Sequence, residues 1–243
     1  MRIDKFLADV GLGSRKEVKQ LLKQKRIRVN DALVKDAKYQ VEAEKDQVTF
    51  DEEILKYQEF FYYMLNKPAG VVSATVDNLD KTVVQLLKKE DFRSDIFPVG
   101  RLDKDTEGLL LLTNDGALAH DLLSPKKHVE KEYFAKIDGC VTQETVEAFA
   151  KGLTLKNGEE VLPGELFIEK ADENTSEIRL IIHEGKFHQV KRMFESVGMK
   201  VTYLKRLRMG SLSLDEGLRL GDYRVLSGEE VERLVDRGRV FPL

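Results

Sequence analysis

The sequence predicts an α+β protein in two parts: a small N-terminal module over residues 1–58 and a larger mixed-sheet domain over residues 59–243. Three observations carry this reading. Charge is unevenly divided: residues 1–40 hold 11 Lys/Arg against 5 Asp/Glu, a net of +6, while residues 41–62 hold 7 acidic against 2 basic residues, a net of −5. The first 34 residues read as two short helices and a hairpin. From residue 59 onward apolar strand patterns alternate with helical ones without a regular βαβ repeat, which points to a mixed sheet. A chain of 243 residues is long enough to bury one large core and one small one.

In the N-terminal module Ile3, Phe6, Leu7 and Val10 follow helical spacing, and Gly11 and Gly13 end that helix. Ser14 to Glu17 reads as a capping box that opens a second helix carrying Val18, Leu21 and Leu22. Arg15, Lys19, Lys23 and Arg26 fall within an arc of roughly 80° beside that apolar stripe. Ile27–Val29, a turn at Asn30-Asp31, and Leu33-Val34 read as a hairpin. The acidic run from Asp51 to Gln58 is the linker candidate, followed by a strand from Phe60 to Leu65.

In the second domain, strands are expected at Val71–Ser73, Leu109–Thr113, Glu132–Ile137, Glu177–Ile182 and Val201–Lys205. Helices are expected at Val83–Leu87, Ala117–Leu122, Glu144–Lys151, Gln189–Val197 and Glu229–Asp236. Thr142 and Ser227 are the N-cap candidates, the latter with Glu230 completing a box.

Composition narrows the function classes. The single cysteine, Cys140, cannot close an intrachain disulfide, and one cysteine with four scattered histidines argues against a structural zinc site. The charged start shows no signal-peptide stretch. No apolar run approaches a membrane span, the longest clear one being Leu109–Leu112, so a cytoplasmic location is expected. The net charge of −3 averages unlike parts, and a basic module at one end suits a polyanion partner.

The stretch from Phe97 to Gly108 is the richest in chemistry. Asp103, Asp105 and Glu107 lie two apart, so an extended chain would line them on one side. Three such carboxylates suit a cation site, a glycosidase-like acid/base pair, or plain loop solvation, and the residues alone leave all three open.

Gly100-Arg101-Leu102-Asp103, followed by Asp105-Thr106 and Gly108-Leu109-Leu110, resembles the signature of RsuA-type pseudouridine synthases. The resemblance runs along the chain. The N-terminal part is similar to the α-L RNA-binding domain, and Met64 to Gly70 to the family's opening strand and turn. Lys131-Glu132-Tyr133, Glu184 to Phe194, and Leu204 to Gly210 resemble its later motifs. By that resemblance Asp103 is the catalytic aspartate, Lys191 its basic partner, and Tyr133 the tyrosine that stacks on the uracil. Leu204, or else Leu207, forms the apolar wall beneath the base.

The reaction detaches uracil from ribose, turns it, and rejoins it through ring carbon 5. Nothing is oxidised and the base is retained, so the resemblance implies neither cofactor nor metal. A carboxylate set against an apolar wall needs an opposite charge to stay ionised. Whether it attacks the anomeric carbon, attacks the ring, or removes a sugar proton is open from sequence. A uridine inside folded RNA has to be flipped out, and Arg101 is placed to fill the space it leaves or to hold a phosphate. Lys186, His188, Arg192, Lys205, Arg206 and Arg208 make a second basic group for backbone contacts.

The expected partner is 16S rRNA within an assembling small subunit, bound by a monomer, because His188 to Phe194 and the compact length favour the small-subunit branch. The 23S rRNA enzymes, a non-catalytic assembly factor, and a glycoside hydrolase using Asp103 with Asp105 or Glu107 are the alternatives.

Overall fold

The computed structural model describes residues 1–238. The chain forms two compact units, Met1–Phe60 and the remainder from Phe61.

In the first unit, α1 (Ile3–Asp9) and α2 (Arg15–Lys23) pack Ile3, Phe6, Leu7, Val18 and Leu22 into one core. Ser14 caps α2: the Glu17 N–H donates to its hydroxyl at 3.3 Å, and its own N–H donates to the Glu17 carboxylate at 2.7 Å. Four strands complete the unit, β1 (Ile27–Val29), β2 (Ala32–Leu33), β3 (Val48–Phe50) and β4 (Glu53–Leu55), in the order β2-β1-β3-β4.

Two expectations are corrected here. The segment from Asp51 is not a linker. Asp51 and Glu52 both take positive φ, 47° and 73°, which turns β3 back onto β4, and Tyr57 stacks on Phe6 at 5.3 Å. Its acidic composition concealed a hairpin. Arg26 is not on the α2 face either, because Lys25 at φ 63° breaks the helical path. Arg26 instead lies over the Phe50 ring and ion-pairs with Asp51.

The second unit is built on one mixed sheet. Its strands in chain order are β5 (Tyr62–Lys67), β6 (Phe97–Pro98), β7 (Glu107–Thr113), β8 (Lys131–Asp138), then β9 (Leu153–Thr154) and β10 (Glu160–Val161), which form a separate hairpin. β11 (Glu165–Ala171), β12 (Thr175–Ile182), β13 (Lys200–Met209), β14 (Leu212–Ser213) and β15 (Tyr223–Val225) complete the set. The main path runs β11-β12-β8-β13-β7-β5-β15, with β14 on β13 and β6 on β7.

Helices α3 (Gly116–Leu123) and α6 (Gly228–Gly238) bring Leu118, Ala119, Leu122 and Leu234 to one core. Phe149 of α4 (Gln143–Lys151) and Val190, Met193 and Phe194 of α5 (Gln189–Ser196) join the other. This explains the unbroken apolar run of β7: Leu109 and Leu111 belong to one core, Leu110 and Leu112 to the other. Val71–Ser73 is not a strand; Val72 makes only an isolated bridge to Thr82. β11 escaped the sequence reading because it is an edge strand, and nearly all of it is exposed. Among the described residues no helix is long and apolar enough to cross a membrane.

β7 and β13 are the one parallel pair of the main path, joined through Glu107↔Lys205 and Gly108↔Arg206. Gly108 has φ +101°, and a Cβ there would lie 2.2 Å from the Arg206 carbonyl oxygen. Only a hydrogen fits, so glycine is required at this junction.

Candidate active site

The loop between β6 and β7 carries Asp103 and lies against the N-terminal turn of α5. The Thr106 N–H donates to the Asp103 carbonyl at 3.0 Å, so residues 103–106 turn rather than extend. Hence the three carboxylates do not share one side. Asp103 and Asp105 converge on Lys191, whose Nζ lies 2.9 Å and 2.7 Å from them. Glu107 accepts instead from the Tyr203 hydroxyl at 2.7 Å. No group of His, Cys, Asp and Glu among the described residues is arranged to hold a metal ion.

Burial alone would lower the Lys191 pKa, but hydrogen bonds and charge from Asp105 and Asp103 reverse that and hold it above the ordinary lysine value. The hydrogen bond from Lys191 in turn holds Asp105 below the usual carboxylate range. On the other side of Asp103 stands His188, its Nε2 3.3 Å from Oδ1. His188 takes φ 47°, a left-handed conformation uncommon for a non-glycine residue, at the entry to α5.

Sequence reasoning passed over Lys67. It is fully buried at the end of β5, and its Nζ donates to the carbonyls of Thr106 at 2.7 Å, Asp103 at 3.0 Å and Pro68 at 3.1 Å. The loop that presents Asp103 is therefore tied to one ammonium group. Burial pushes the Lys67 pKa down to about 8, against the opposing pull of Asp105 and Asp103. The available signal was a lysine closing a run, Phe60 to Leu65, rich in apolar residues.

Asp103 borders an open cleft. Tyr133, Leu204, Ile182 and Val190 supply its apolar lining, and Arg101, Lys186, His188 and Lys191 also line it. Alternation on β8 turns Lys131, Tyr133, Ala135 and Ile137 to one face, and Tyr133 sits opposite Leu180 on β12 and Arg206 on β13. Arg101 is exposed.

The expected second basic group divides. Lys186, His188 and Arg206 line the cleft, Lys186 with its Nζ 3.4 Å from Glu159 and 3.7 Å from Glu184, while outside it Arg192 pairs with Glu159 at 2.7 Å and Arg208 with Glu130 and Glu132 at 2.8 and 3.0 Å. Lys205 and Leu207 are not in the lining, since adjacent strand residues face opposite ways. In the first unit Arg15, Lys19 and Lys23 are exposed along α2.

A family model described as RNA pseudouridylate synthase matches residues 61–196, and an S4 domain model matches residues 1–48. An uncharacterized RNA pseudouridine synthase of Bacillus subtilis, YtzG, is 48% identical over 96% of this chain and 98% of its own. The ribosomal small subunit pseudouridine synthase A of Vibrio vulnificus is 40% identical over 96% of this chain and 98% of its own. The ribosomal large subunit pseudouridine synthase B of Bacillus subtilis is 38% identical over 96% and 95%. A crystal structure of a pseudouridylate synthase superposes with a TM-score of 0.67 at 36% identity, covering 96% of this chain and 99% of that one. The chain belongs to the RNA pseudouridylate synthase family, in the RsuA-type arrangement with an S4 domain ahead of the synthase domain.

Proposed function

We propose that this protein isomerises one uridine of 16S rRNA, in an assembling small subunit, with Asp103 as the catalytic residue. One observation carries the assignment: the Asp103 carboxylate is held between Lys191 at 2.9 Å and His188 at 3.3 Å, beside a cleft lined by Tyr133 and Leu204.

In this reading the flipped uridine enters the cleft, its ring against Tyr133 and Leu204, with its sugar toward Asp103. Lys191 supplies the positive charge that the ionised carboxylate needs, and Arg101 and Lys186 meet the neighbouring phosphates. The reaction needs no redox partner, since the uracil is retained and only its point of attachment changes. All of these groups come from the second unit of a single chain, so a monomer suffices. The exposed Arg15, Lys19 and Lys23 of the S4 domain add phosphate contacts that strengthen binding without reading sequence.

The choice of 16S rRNA rests on the form of the His188–Phe194 motif and on the small-subunit relatives. The 38% identity to a large-subunit synthase favours 23S rRNA as the second reading. A ribosomal RNA substrate places the protein in the cytoplasm.

The test is to map pseudouridine in ribosomal RNA from cells lacking this protein, then from the same cells given the wild type or Asp103→Asn. One position lost in 16S rRNA, restored by the wild type and not by a folded Asp103→Asn protein, is expected. A position lost in 23S rRNA would transfer the assignment to the second reading, and rescue by Asp103→Asn would refute the catalytic role.

A further inference from the structure

Two cations line the cleft beside Tyr133 and play no part in holding Asp103. Lys131 is 7% exposed and Arg206 is 3% exposed, and both belong to the cleft lining. They lie on adjacent strands, β8 and β13, and Arg206 is the cross-strand partner of Tyr133. Lys131 Nζ donates to the Val129 carbonyl at 2.8 Å and Arg206 Nε to the Leu109 carbonyl at 2.8 Å.

Neither cation forms an ion pair with a carboxylate among the described residues, and Arg206 Nη2 is buried with no hydrogen-bond partner. Glu184, the nearest acidic influence on Lys131, spends Oε1 on the Leu162 N–H and the Gln189 side chain. Burial, and then the charge of Arg206, push the Lys131 pKa down to about 8. Two like charges held out of water with no carboxylate in contact are unfavourable unless a negative charge arrives with a ligand.

We propose that Lys131 and Arg206 form an anion subsite that holds the detached uracil while it carries a negative charge. The proposal rests on the pseudouridine reading and deepens it. When the bond from ribose C1′ to uracil N1 breaks, its electron pair leaves with N1, giving a uracil anion whose charge spreads over N1, O2 and O4. The ribose is satisfied either by a bond from C1′ to an Asp103 oxygen or by loss of its 2′ proton to that carboxylate.

By either route one negative charge passes from Asp103 to the base. Bonding through C5 then restores the carboxylate, and N1 gains a proton as C5 loses one. Lys191 faces Asp103, where the charge begins, and the buried pair faces the place where it goes. A group that meets charge present only after bond cleavage lowers the barrier without tightening substrate binding. A phosphate, by contrast, is charged throughout and is met by the exposed Arg101.

The test compares single-turnover loss of the target nucleoside in ribosomal RNA transcribed with uridine and with 5-fluorouridine, using the full chain. Fluorine withdraws electrons and makes the base a better leaving anion, so it should offset a missing cation. For Lys131→Met the expected result is a roughly 100-fold slower reaction on uridine and at most about 10-fold on 5-fluorouridine. RNA affinity should stay within about twofold, and Tm should match or exceed that of the wild type because an unpaired buried charge is gone. Lys131→Arg, which keeps the charge, should recover part of the rate, and Arg206→Met, which removes the other charge, should follow the leaving-group pattern of Lys131→Met.

Equal slowing on both RNAs would overturn the proposal in favour of a structural role. Weaker binding at an unchanged rate would overturn it in favour of a phosphate site. A wild type that converts neither RNA, whether bare or assembled with ribosomal proteins, would remove the pseudouridine reading itself, and the subsite with it.

Discussion

The Lys67 ammonium donates at 3.0 Å to the main-chain carbonyl of Asp103, so the strand that opens the synthase domain fixes the loop that presents its carboxylate. Replacing Lys67 by Met leaves the carbonyls of Asp103 and Thr106 without this donor. Each unpaired buried carbonyl costs about 1–3 kcal/mol. We expect a Tm several degrees lower and at least a 100-fold fall in kcat, with RNA binding nearly intact, because the S4 domain is untouched. A Lys67→Met protein with wild-type kcat would show that the loop holds its own shape.

Lys67 and Lys131 both titrate near pH 8, well below the ordinary value of 10.5, through burial. Between pH 8 and 10.5 the folded state releases protons that the unfolded chain keeps, so the contribution of these two groups to stability rises with pH. Activity should move the opposite way, because the protonated forms tie the loop and line the cleft. The expected outcome is an alkaline limb in kcat near pH 8 while the denaturation midpoint holds or increases. If rate and midpoint fell together, the limb would reflect unfolding.

Lys191 ion-pairs with both Asp103 and Asp105. Lys191→Met should reduce the rate by about 10²- to 10³-fold, less than Asp103→Asn, because the carboxylate survives. An unchanged rate would pass the charge-balancing role to His188, which stands 3.3 Å from Asp103.

The S4 unit and the synthase unit have separate cores. Deleting residues 1–60 should leave a folded synthase domain that binds rRNA more weakly and with a shallower salt dependence. Each lost phosphate contact should reduce the slope of log affinity against log salt by about 0.7–0.9. Identical slopes would mean that Arg15, Lys19 and Lys23 form only a solvated face.

Much of this was readable from residue order alone, for reasons of period and local chemistry. The Ser14–Glu17 box, the helix around Val190 and Phe194, and the alternation from Lys131 to Ile137 declare themselves within a few residues. The Asp103–Lys191 pair came from motif resemblance, because 88 positions separate the two and no local rule joins them. What stayed hidden depended on distant partners. The β3–β4 turn passed for a linker because its residues are acidic. Arg26 left the helix face because one residue, Lys25, adopts a positive φ. Lys67 looked like an ordinary strand end, since its acceptors in the catalytic loop, at Asp103 and Thr106, lie 36 and 39 residues further along the chain.

The parallel junction of β7 with β13 gives the synthase domain a seam. Two register pairs, Glu107↔Lys205 and Gly108↔Arg206, bridge it, with side-chain bonds from Tyr203 to Glu107 and from Arg206 to the Leu109 carbonyl, whereas β8 and β12 are matched along eight residue pairs. If the sheet opens anywhere, this is where the fewest rungs must break, and the seam adjoins the loop carrying Asp103. Amide hydrogens at Gly108 and Arg206 should therefore exchange with solvent earlier than those deep in β8. A slot wide enough for a hydrogen and nothing larger fixes both the closest approach of the two halves and the line along which they part.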